Sequence, residues 1–272
     1  VLDSGLLKSF NLDGSYANYT HDEKEPDGTI DTTFRNKEYN ARGELLLNAF
    51  GPVRNAALGF EYGHRDFSAI GVDSSYLFPA TSESFAGYLF TELRATDRLH
   101  MELSGRVENV HLTGTPANDA FTGKSYMPIS GAIGALYTAA PGVKLGLTLS
   151  STGRAPALTE LFARGGHDGP NTFETGDPDL KIERANSIEA SLRVHRGRLT
   201  FDGSLYSSWF RNYIYGDLTG RMCDDDGICA VGGPGDLKEL FYRQQGAHFR
   251  GLEGEARLDL VKTDSGTLTA RL

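Results

Sequence analysis

Apolar and polar side chains alternate one by one along most of this chain, and this period of two sets narrow limits on its fold. Leu99, Met101 and Leu103 interleave with His100 and Glu102, and the same alternation recurs in later segments. Successive residues of a β-strand point to opposite faces, so the pattern is typical of strands with one apolar and one polar face. We therefore predict about eleven strands. Helical spacing is confined to one short turn within 157–164.

The connections between these strands alternate between short and long. The predicted short connections are 50–55, 96–98, 140–142, 196–198 and 261–266. The predicted long connections are 21–31, 67–83, 112–125, 153–184 and 217–238. Both ends of a soluble β-sandwich meet the same water, whereas an outer-membrane barrel has short periplasmic turns and long extracellular loops. The pattern favours an all-β, antiparallel, up-and-down transmembrane β-barrel over a soluble sandwich with an aromatic core.

The composition agrees with a thin apolar layer rather than a large core. Hydrophobic residues make up 39% of the chain and glycine contributes 33 of 272 residues. No run of about 18 apolar residues occurs, which excludes a transmembrane helix. The net charge of -9 leaves no basic stripe for phosphates, which excludes nucleic acid as a partner. The negative charge lies in the long connections, and the short turns carry Arg54, Arg98, Lys144, Arg196, Arg198 and Lys262.

An odd number of strands leaves two unpaired edges. Bacterial single-chain barrels have even strand numbers, so a sheet of about eleven strands does not close by itself. The chain begins at Val1 and reaches Leu272 within a developing strand. We expect residues 1–272 to be one part of a barrel whose remaining strands lie on both sides.

Two motifs resemble a known family. Residues 154–162 read Arg-Ala-Pro-Ala-Leu-Thr-Glu-Leu-Phe, residues 176–183 read Gly-Asp-Pro-Asp-Leu-Lys-Ile-Glu, and residues 242–255 carry a Gly-Leu-Glu-Gly-Glu step. This pattern is similar to the barrel of TonB-dependent outer-membrane receptors, with Asp177 where Asn is usual and Ile182 where Pro is usual. The matching positions are Arg154, Pro156, Glu160, Leu161, Phe162, Gly176, Pro178, Leu180, Glu183, Gly251 and Glu253.

These motif residues are interpreted as structural. Pro156 and Pro178 fix the backbone φ angle and end the strands. The acidic side chains are expected to pair with basic ones and so to hold a long connection in place. The expected acids are Glu160, Glu174 and Glu183, and the expected bases are Arg154, Arg164 and Arg184.

The resemblance implies a 22-stranded barrel, of which this chain is about half, filled by an N-terminal plug domain that these residues do not include. It further implies active transport across the outer membrane of a Gram-negative bacterium, driven by the TonB-ExbB-ExbD complex. Outer-membrane lipid, lipopolysaccharide and a small nutrient or metal ligand are the other expected partners. A receptor is therefore predicted rather than an enzyme, with a barrel hydrolase or an adhesin as remote alternatives.

The segment after Glu-Leu-Phe is closest to the zinc and metal-uptake subgroup, because a histidine follows the glycines at His167. Imidazole and carboxylate groups are Zn²⁺ ligands, and several lie in the predicted long connections of one rim. The candidate ligands are His21, Asp22, Glu23, His167, Asp168, Asp224, Asp225 and Asp226. No tightly bound cofactor is expected, only a transient divalent metal as substrate. A ferric siderophore, haem or another organic nutrient is the alternative cargo.

The two cysteines are close in sequence. Cys223 and Cys229 flank a segment rich in aspartate and glycine. This spacing favours an oxidising compartment and a local disulfide over two free thiols.

Overall fold

The elements of the fold are almost all strands. A computed structural model describes residues 5–24, 27–72, 75–224, 226–263 and 266–272. Its elements are β1 (Leu7–Lys24), β2 (Ile30–Leu47), β3 (Val53–Gly71), β4 (Leu77–Arg94), β5 (Leu99–Gly114), β6 (Thr122–Tyr126), β7 (Ile129–Ala140), β8 (Val143–Arg154), α1 (Leu158–Phe162), β9 (Arg164–His167), β10 (Thr172–Thr175), β11 (Glu183–Arg196), β12 (Leu199–Cys223), β13 (Cys229–Ala230), β14 (Leu237–Thr263) and β15 (Gly266–Arg271). Within these ranges, no helix has the length and apolar character needed to cross a membrane.

Consecutive strands pair side by side in one antiparallel sheet, which we call the wall. The wall runs through β1, β2, β3, β4, β5, β7, β8, β11, β12, β14 and β15, with β6 extending β7 along β5. Pro128 separates β6 from β7, since proline has no N–H to donate to the ladder. The prediction of about eleven wall strands is confirmed, and among the described residues β1 and β15 pair on one side only. The fold is a partial up-and-down β-barrel.

The strand register gives the wall two chemically different faces. Leu145, Leu147 and Leu149 point outward and remain 45–46% exposed. Leu149 lies opposite Ile188 in the neighbouring strand. Thr148, which stands between Leu147 and Leu149 in the sequence, points to the inner face. Within the described ranges, no second sheet packs against this outer face. The predicted alternation between a membrane face and a lumen face is therefore confirmed.

Two of the predicted long connections are wrong, because the strands continue past them. Only 25–29 separate β1 from β2, and only 72–76 separate β3 from β4. A polar segment remains a strand as long as its backbone pairs with a neighbouring strand. Asp22 and Thr33 are such a pair in β1 and β2, and Thr33 Oγ1 donates to Asp22 Oδ1 at 2.8 Å. The connections 155–182 and 224–236 are long, as predicted.

The buried core lies at the end of the wall with the long connections, which we call the mouth. Connection 155–182 folds back there onto the inner face, and α1 buries Leu161 and Phe162 completely against β4 and β5. Gly114 admits the Phe162 ring, since a Cβ on Gly114 would lie only 2.5 Å from it. Leu158, Leu161 and Phe162 occupy one helical face, which explains the short helix predicted within 157–164.

The β9–β10 hairpin closes a ring of hydrogen bonds at the mouth. Strand β10 runs parallel to β14, with Thr172 opposite Lys238 and Thr175 opposite Phe241. On the other side of the hairpin, the Arg164 backbone N–H donates to the Tyr76 carbonyl oxygen at 2.9 Å. The hairpin thus joins β14 to the start of β4, and the intervening wall strands complete the ring.

Candidate functional site

A cluster of polar and aromatic side chains lies where the hairpin meets the inner face of the wall. We call it the mouth cluster, and its members come from β1, β2, the connection before β4, the hairpin and β14. The mouth cluster consists of Glu23, Phe34, Tyr76, His167, Thr172, Glu174 and Tyr242. Residues 167, 172 and 174 share one face of the hairpin, because His167 lies opposite Thr172 and Glu174 follows two positions later.

Glu174 is the buried centre of this cluster, with 5% of its surface exposed. One carboxylate oxygen accepts hydrogen bonds from the hydroxyl groups of Tyr242 at 2.8 Å and Tyr76 at 3.0 Å. The other accepts a hydrogen bond from Thr172 Oγ1 at 2.8 Å and lies 3.3 Å from His167 Nδ1. Both oxygens are therefore fully occupied.

Burial by itself would raise the pKa of the Glu174 carboxyl. The hydrogen bonds from His167, Tyr242, Thr172 and Tyr76 outweigh that effect and lower its pKa below the ordinary value. Burial also raises the pKa of the Tyr76 hydroxyl, which stays protonated as a donor. The carboxylate is therefore ionised at neutral pH, and its partners are fixed as donors.

The His167 ring is held by packing as well as by Glu174. It stacks on Tyr76 with ring centroids 4.5 Å apart and lies against Phe34 at 5.6 Å. With Glu174 ionised, Nδ1 is the nitrogen that carries the proton and donates. The second nitrogen, Nε2, lies 3.9 Å from Glu23 Oε1, too far for a hydrogen bond.

Glu23 brings a carboxylate to the open nitrogen of His167. Its Oε2 atom is buried and has no hydrogen-bond partner among the described residues. A buried carboxylate oxygen without a partner is costly, and a bound cation removes that cost. The nearby Gly169 leaves room at this point, because a Cβ there would approach Glu23 Oε1 to 3.2 Å.

The arrangement has the chemistry of a metal-binding histidine. Metal-ligating histidines usually donate their other ring N–H to a carboxylate, which fixes the tautomer and the ring orientation. Glu174 supplies that carboxylate, His167 Nε2 is the candidate ligand, and Glu23 is the candidate second ligand. Two Zn²⁺ ligands in a tetrahedral site lie about 3.4 Å apart, so a shift of about 0.5 Å brings this pair to ligating separation.

The other predicted ligands do not all converge on this point. His21 lies on the same face of β1 and stacks on Phe34 with centroids 4.6 Å apart. Asp22 points to the opposite face, where it accepts from Thr33. Asp168 lies in the turn of the β9–β10 hairpin, where its carbonyl oxygen accepts from the Asn171 N–H at 2.9 Å.

The predicted aspartates of the cysteine loop lie on the other side of the hairpin. Phe173 points away from Glu174, and its ring would lie 2.8 Å from a Cβ on Gly227 in that loop. Asp224 caps its own turn by accepting from the Ile228 N–H at 2.8 Å, and Asp226 is exposed in the same turn. Asp225 lies outside the described residues. Asp224 and Asp226 therefore lie apart from His167, across the hairpin.

The disulfide prediction is confirmed, since Cys223 and Cys229 are bonded. Their sulfurs lie near Glu239, and within the described ranges this is the one group of three such side chains whose ligand atoms all lie within 4.8 Å of one another. Oxidised sulfurs do not act as thiolate ligands. Glu239 instead pairs with Arg221 and accepts from Thr219 Oγ1 at 2.5 Å.

The first motif holds the long connection at its base, as predicted. Arg154 reaches both oxygens of Glu160 at 2.9 and 3.1 Å and also pairs with Glu183 at 3.3 Å. Glu160 additionally accepts from the Ala157 N–H at 2.7 Å at the start of α1. Leu180 is buried beside α1, and the Gly176 N–H donates to the Ala163 carbonyl. Pro156 and Pro178 flank these contacts.

Three of the six residues expected to form these ion pairs have other partners. Arg164 pairs with Asp119, because the hairpin places its guanidinium beside connection 115–121. Arg184 donates to Ser151 Oγ and to a backbone carbonyl. Glu174 accepts from tyrosines rather than from an arginine, since the hairpin turns its side chain into the mouth cluster.

In the second motif, Gly251 admits the Tyr206 ring, and Glu253 lies on the exposed inner face of the wall. Tyr76 and Tyr242 are site residues that the sequence did not predict. Tyr242 is the first residue of the second motif, and this position was the sequence signal that could have identified it.

The open antiparallel sheet, with a lipid face, a polar inner face and one mouth, defines a partial outer-membrane β-barrel. A family model described as "TonB dependent receptor-like, beta-barrel" matches residues 2–271, so the chain belongs to the TonB-dependent receptor family. Members of this family are outer-membrane proteins of Gram-negative bacteria, which places the protein in that membrane.

Solved structures share the fold at low sequence identity. The copper transporter OprC is 14% identical with a TM-score of 0.73, over 95% of this chain and 42% of that one. The Serratia marcescens hemophore receptor HasR is 15% identical with a TM-score of 0.70, over 92% and 43%. The ferric citrate transporter FecA is 16% identical with a TM-score of 0.64, over 92% and 36%. The chain thus spans less than half the length of each of these structures.

Proposed function

We propose that this chain is part of a TonB-coupled receptor that takes up a scarce divalent metal, zinc in the first instance, through the mouth cluster. The observation that carries the proposal is the approach of Glu23 to His167: Glu23 Oε1 lies 3.9 Å from His167 Nε2, and Glu23 Oε2 is buried without a hydrogen-bond partner among the described residues. Glu174 orients the His167 ring through Nδ1, the nitrogen that does not face the metal, and this is the usual arrangement at a metal-ligating imidazole. The TonB-ExbB-ExbD complex would supply the energy through parts of the receptor outside this chain.

A metal ion held by two protein ligands can be released again, as a transported cargo requires. The remaining coordination positions of the metal would be filled by water or by a carrier molecule that brings it. The same geometry therefore accommodates a free ion or a metal complex. The names of the structural neighbours include a copper transporter, a hemophore receptor and a ferric citrate transporter, so a metal-containing cargo fits the range that this fold serves.

Calorimetric titration of the full-length receptor with Zn²⁺ tests the proposal. His167→Gln and Glu23→Gln are each expected to weaken zinc binding by about 10–100-fold, because each removes a group that holds the metal or its ligand. His64→Gln is the matched control, since His64 lies 3.3 Å from Asp66 on the outer face of the wall, away from the mouth cluster. That variant is expected to bind zinc like the parent protein.

Transport adds a second test in living cells. Zinc uptake should require the TonB complex and should fall in both mouth-cluster variants. Absence of zinc binding together with tight binding of a ferric chelate or haem would overturn the metal-ion proposal and favour the siderophore or haem alternative. Equal losses in His64→Gln would show that the effect does not come from the mouth cluster.

A further inference from the structure

The disulfide at the mouth lies beside a buried carboxylate that the proposed function does not use. Cys223 ends β12, Cys229 begins β13, and Glu239 lies in β14. One ligand atom of each residue, a sulfur or a carboxylate oxygen, lies within 4.8 Å of the other two. Cys223 and Glu239 are buried, and Cys229 is half-buried. Ligand atoms of a tetrahedral Zn²⁺ site are about 3.4–3.8 Å apart, so small shifts bring these three side chains to ligating positions once the sulfurs are thiolates.

The backbone keeps the two cysteines opposite each other through contacts that do not involve sulfur. Cys223 and Cys229 are register partners in β12 and β13. The turn between them is closed by two hydrogen bonds, from the Asp224 N–H to the Ile228 carbonyl at 3.2 Å and from the Ile228 N–H to Asp224 Oδ1 at 2.8 Å. Reduction of the disulfide removes none of these contacts. The two thiols therefore stay side by side in the reduced protein.

The third side chain is already oriented as a ligand. Arg221 donates to both carboxylate oxygens of Glu239, and Thr219 Oγ1 donates to Oε2 at 2.5 Å. These three hydrogen bonds use three of the roughly four lone-pair positions of a carboxylate, so Oε1 keeps one for a metal ion. Ligating carboxylates are usually held by hydrogen bonds in this way. Arg221 also offsets part of the negative charge of two thiolates and a carboxylate.

The disulfide is accessible from one side. Cys223 is fully buried and Cys229 is half-buried, so Cys229 is the residue that an external thiolate can reach. That thiolate forms a mixed disulfide with Cys229 and releases Cys223 as a thiolate. A second external thiolate then attacks the mixed disulfide and releases Cys229. Two external thiols are oxidised to one disulfide, and the protein disulfide is reduced to two thiols.

We propose that Cys223, Cys229 and Glu239 form a Zn²⁺ site that a low-molecular-weight thiol opens by reducing the disulfide. Zinc binding displaces the two thiol protons, and water takes the fourth position. The oxidised protein lacks this site, because disulfide sulfurs are not thiolate ligands. Phe173 stands between the cysteine loop and the mouth cluster, so the site is independent of that cluster and of the cargo.

Cobalt spectroscopy of the full-length receptor tests the proposal. Glutathione reduces the receptor and is removed in the absence of air, and Co²⁺ is then added as a probe for the Zn²⁺ site. Thiolate ligands give Co²⁺ an intense charge-transfer band that imidazole and carboxylate ligands do not give. We expect this band in the reduced receptor, its absence in the oxidised receptor, and its loss when Zn²⁺ displaces Co²⁺.

Two results with the parent receptor would overturn the proposal. The first is a reduced receptor whose two thiols react with iodoacetamide but which shows no charge-transfer band with Co²⁺. The second is a disulfide that glutathione does not reduce in the folded receptor.

Variants test the third ligand and the independence of the site. Glu239→Gln should weaken Co²⁺ binding to the reduced receptor by about 10-fold or more. Asp217→Asn is the matched control, because Asp217 pairs with Arg243 across the same two strands at 2.8 Å, and it should leave the affinity unchanged. His167→Gln should leave the band unchanged, so the result does not depend on zinc binding at the mouth cluster. Equal weakening by Glu239→Gln and Asp217→Asn would overturn the proposal, as would loss of the band in His167→Gln.

Discussion

The wall and the mouth of this protein are stabilised in different ways. In the wall, backbone ladders connect neighbouring strands, and side chains such as Leu147 and Thr148 point to lipid or lumen with few contacts to distant parts of the chain. At the mouth, a buried carboxylate joins side chains that are far apart in sequence, since Tyr76 and Tyr242 lie 98 and 68 positions from Glu174. The wall therefore depends on the alternation of residue types along its strands, whereas the mouth depends on particular side chains.

The largest expected effect concerns the two faces of the wall. Leu147→Arg places a charge on the lipid face near the membrane midplane and should lower the free energy of unfolding by about 2–4 kcal/mol. Thr148→Arg, one residue further on, places the same side chain on the polar inner face and should change it far less. Refolding of the full-length receptor into lipid vesicles measures both values. Similar losses in the two variants would contradict the assigned faces.

The next effect should be confined to the mouth. Glu174→Ala removes the acceptor of the Tyr76 and Tyr242 hydroxyl groups, and the loss of buried acceptors should destabilise the hairpin by about 3 kcal/mol. Hydrogen exchange should then accelerate in β9 and β10 and stay unchanged in β8. Glu253→Gln, on the exposed inner face, serves as the control. Faster exchange throughout the wall would show that the stability of the wall depends on the mouth cluster, contrary to this prediction.

A smaller and more local effect is expected from the disulfide. Replacement of Cys223 and Cys229 by serine opens a short loop, and the chain-entropy relation gives about 2 kcal/mol for a loop of this size. Only the ends of β12 and β14 beyond the mouth should exchange faster. Zinc binding should be retained, because Phe173 separates this loop from the mouth cluster. A loss of zinc binding would place the cysteine loop within the site after all.

The smallest effect should appear in acid. The ordinary pKa of a glutamate is 4.5, and that of Glu174 is lowered in the folded protein. Its contribution to stability is therefore complete above pH 4.5 and is lost as the pH falls through the lowered value. Exchange in β9 and β10 should rise in this range by an amount that Glu174→Gln abolishes. An identical acid response in the parent and the variant would assign it to other groups.

The sequence predicted the wall well and the mouth only in part. Alternation in segments such as 143–149 reports which face of the wall each side chain occupies, because successive residues of a strand point to opposite faces. The Arg154 pairs were also predictable, since Glu160 is close in sequence and Glu183 re-enters the neighbouring strand. Nothing local indicated that Tyr76 and Tyr242 meet at Glu174, as that contact depends on how connection 155–182 folds back.

The ring of hydrogen bonds at the mouth is uneven around its circumference. Four paired positions attach the hairpin to β14, whereas one backbone hydrogen bond attaches it to the residue before β4. On the β4 side the hairpin depends instead on α1, which directly precedes β9 and packs the buried Leu161 and Phe162 against β4 and β5. One end of the mouth is thus held by backbone pairing and the other by side-chain packing.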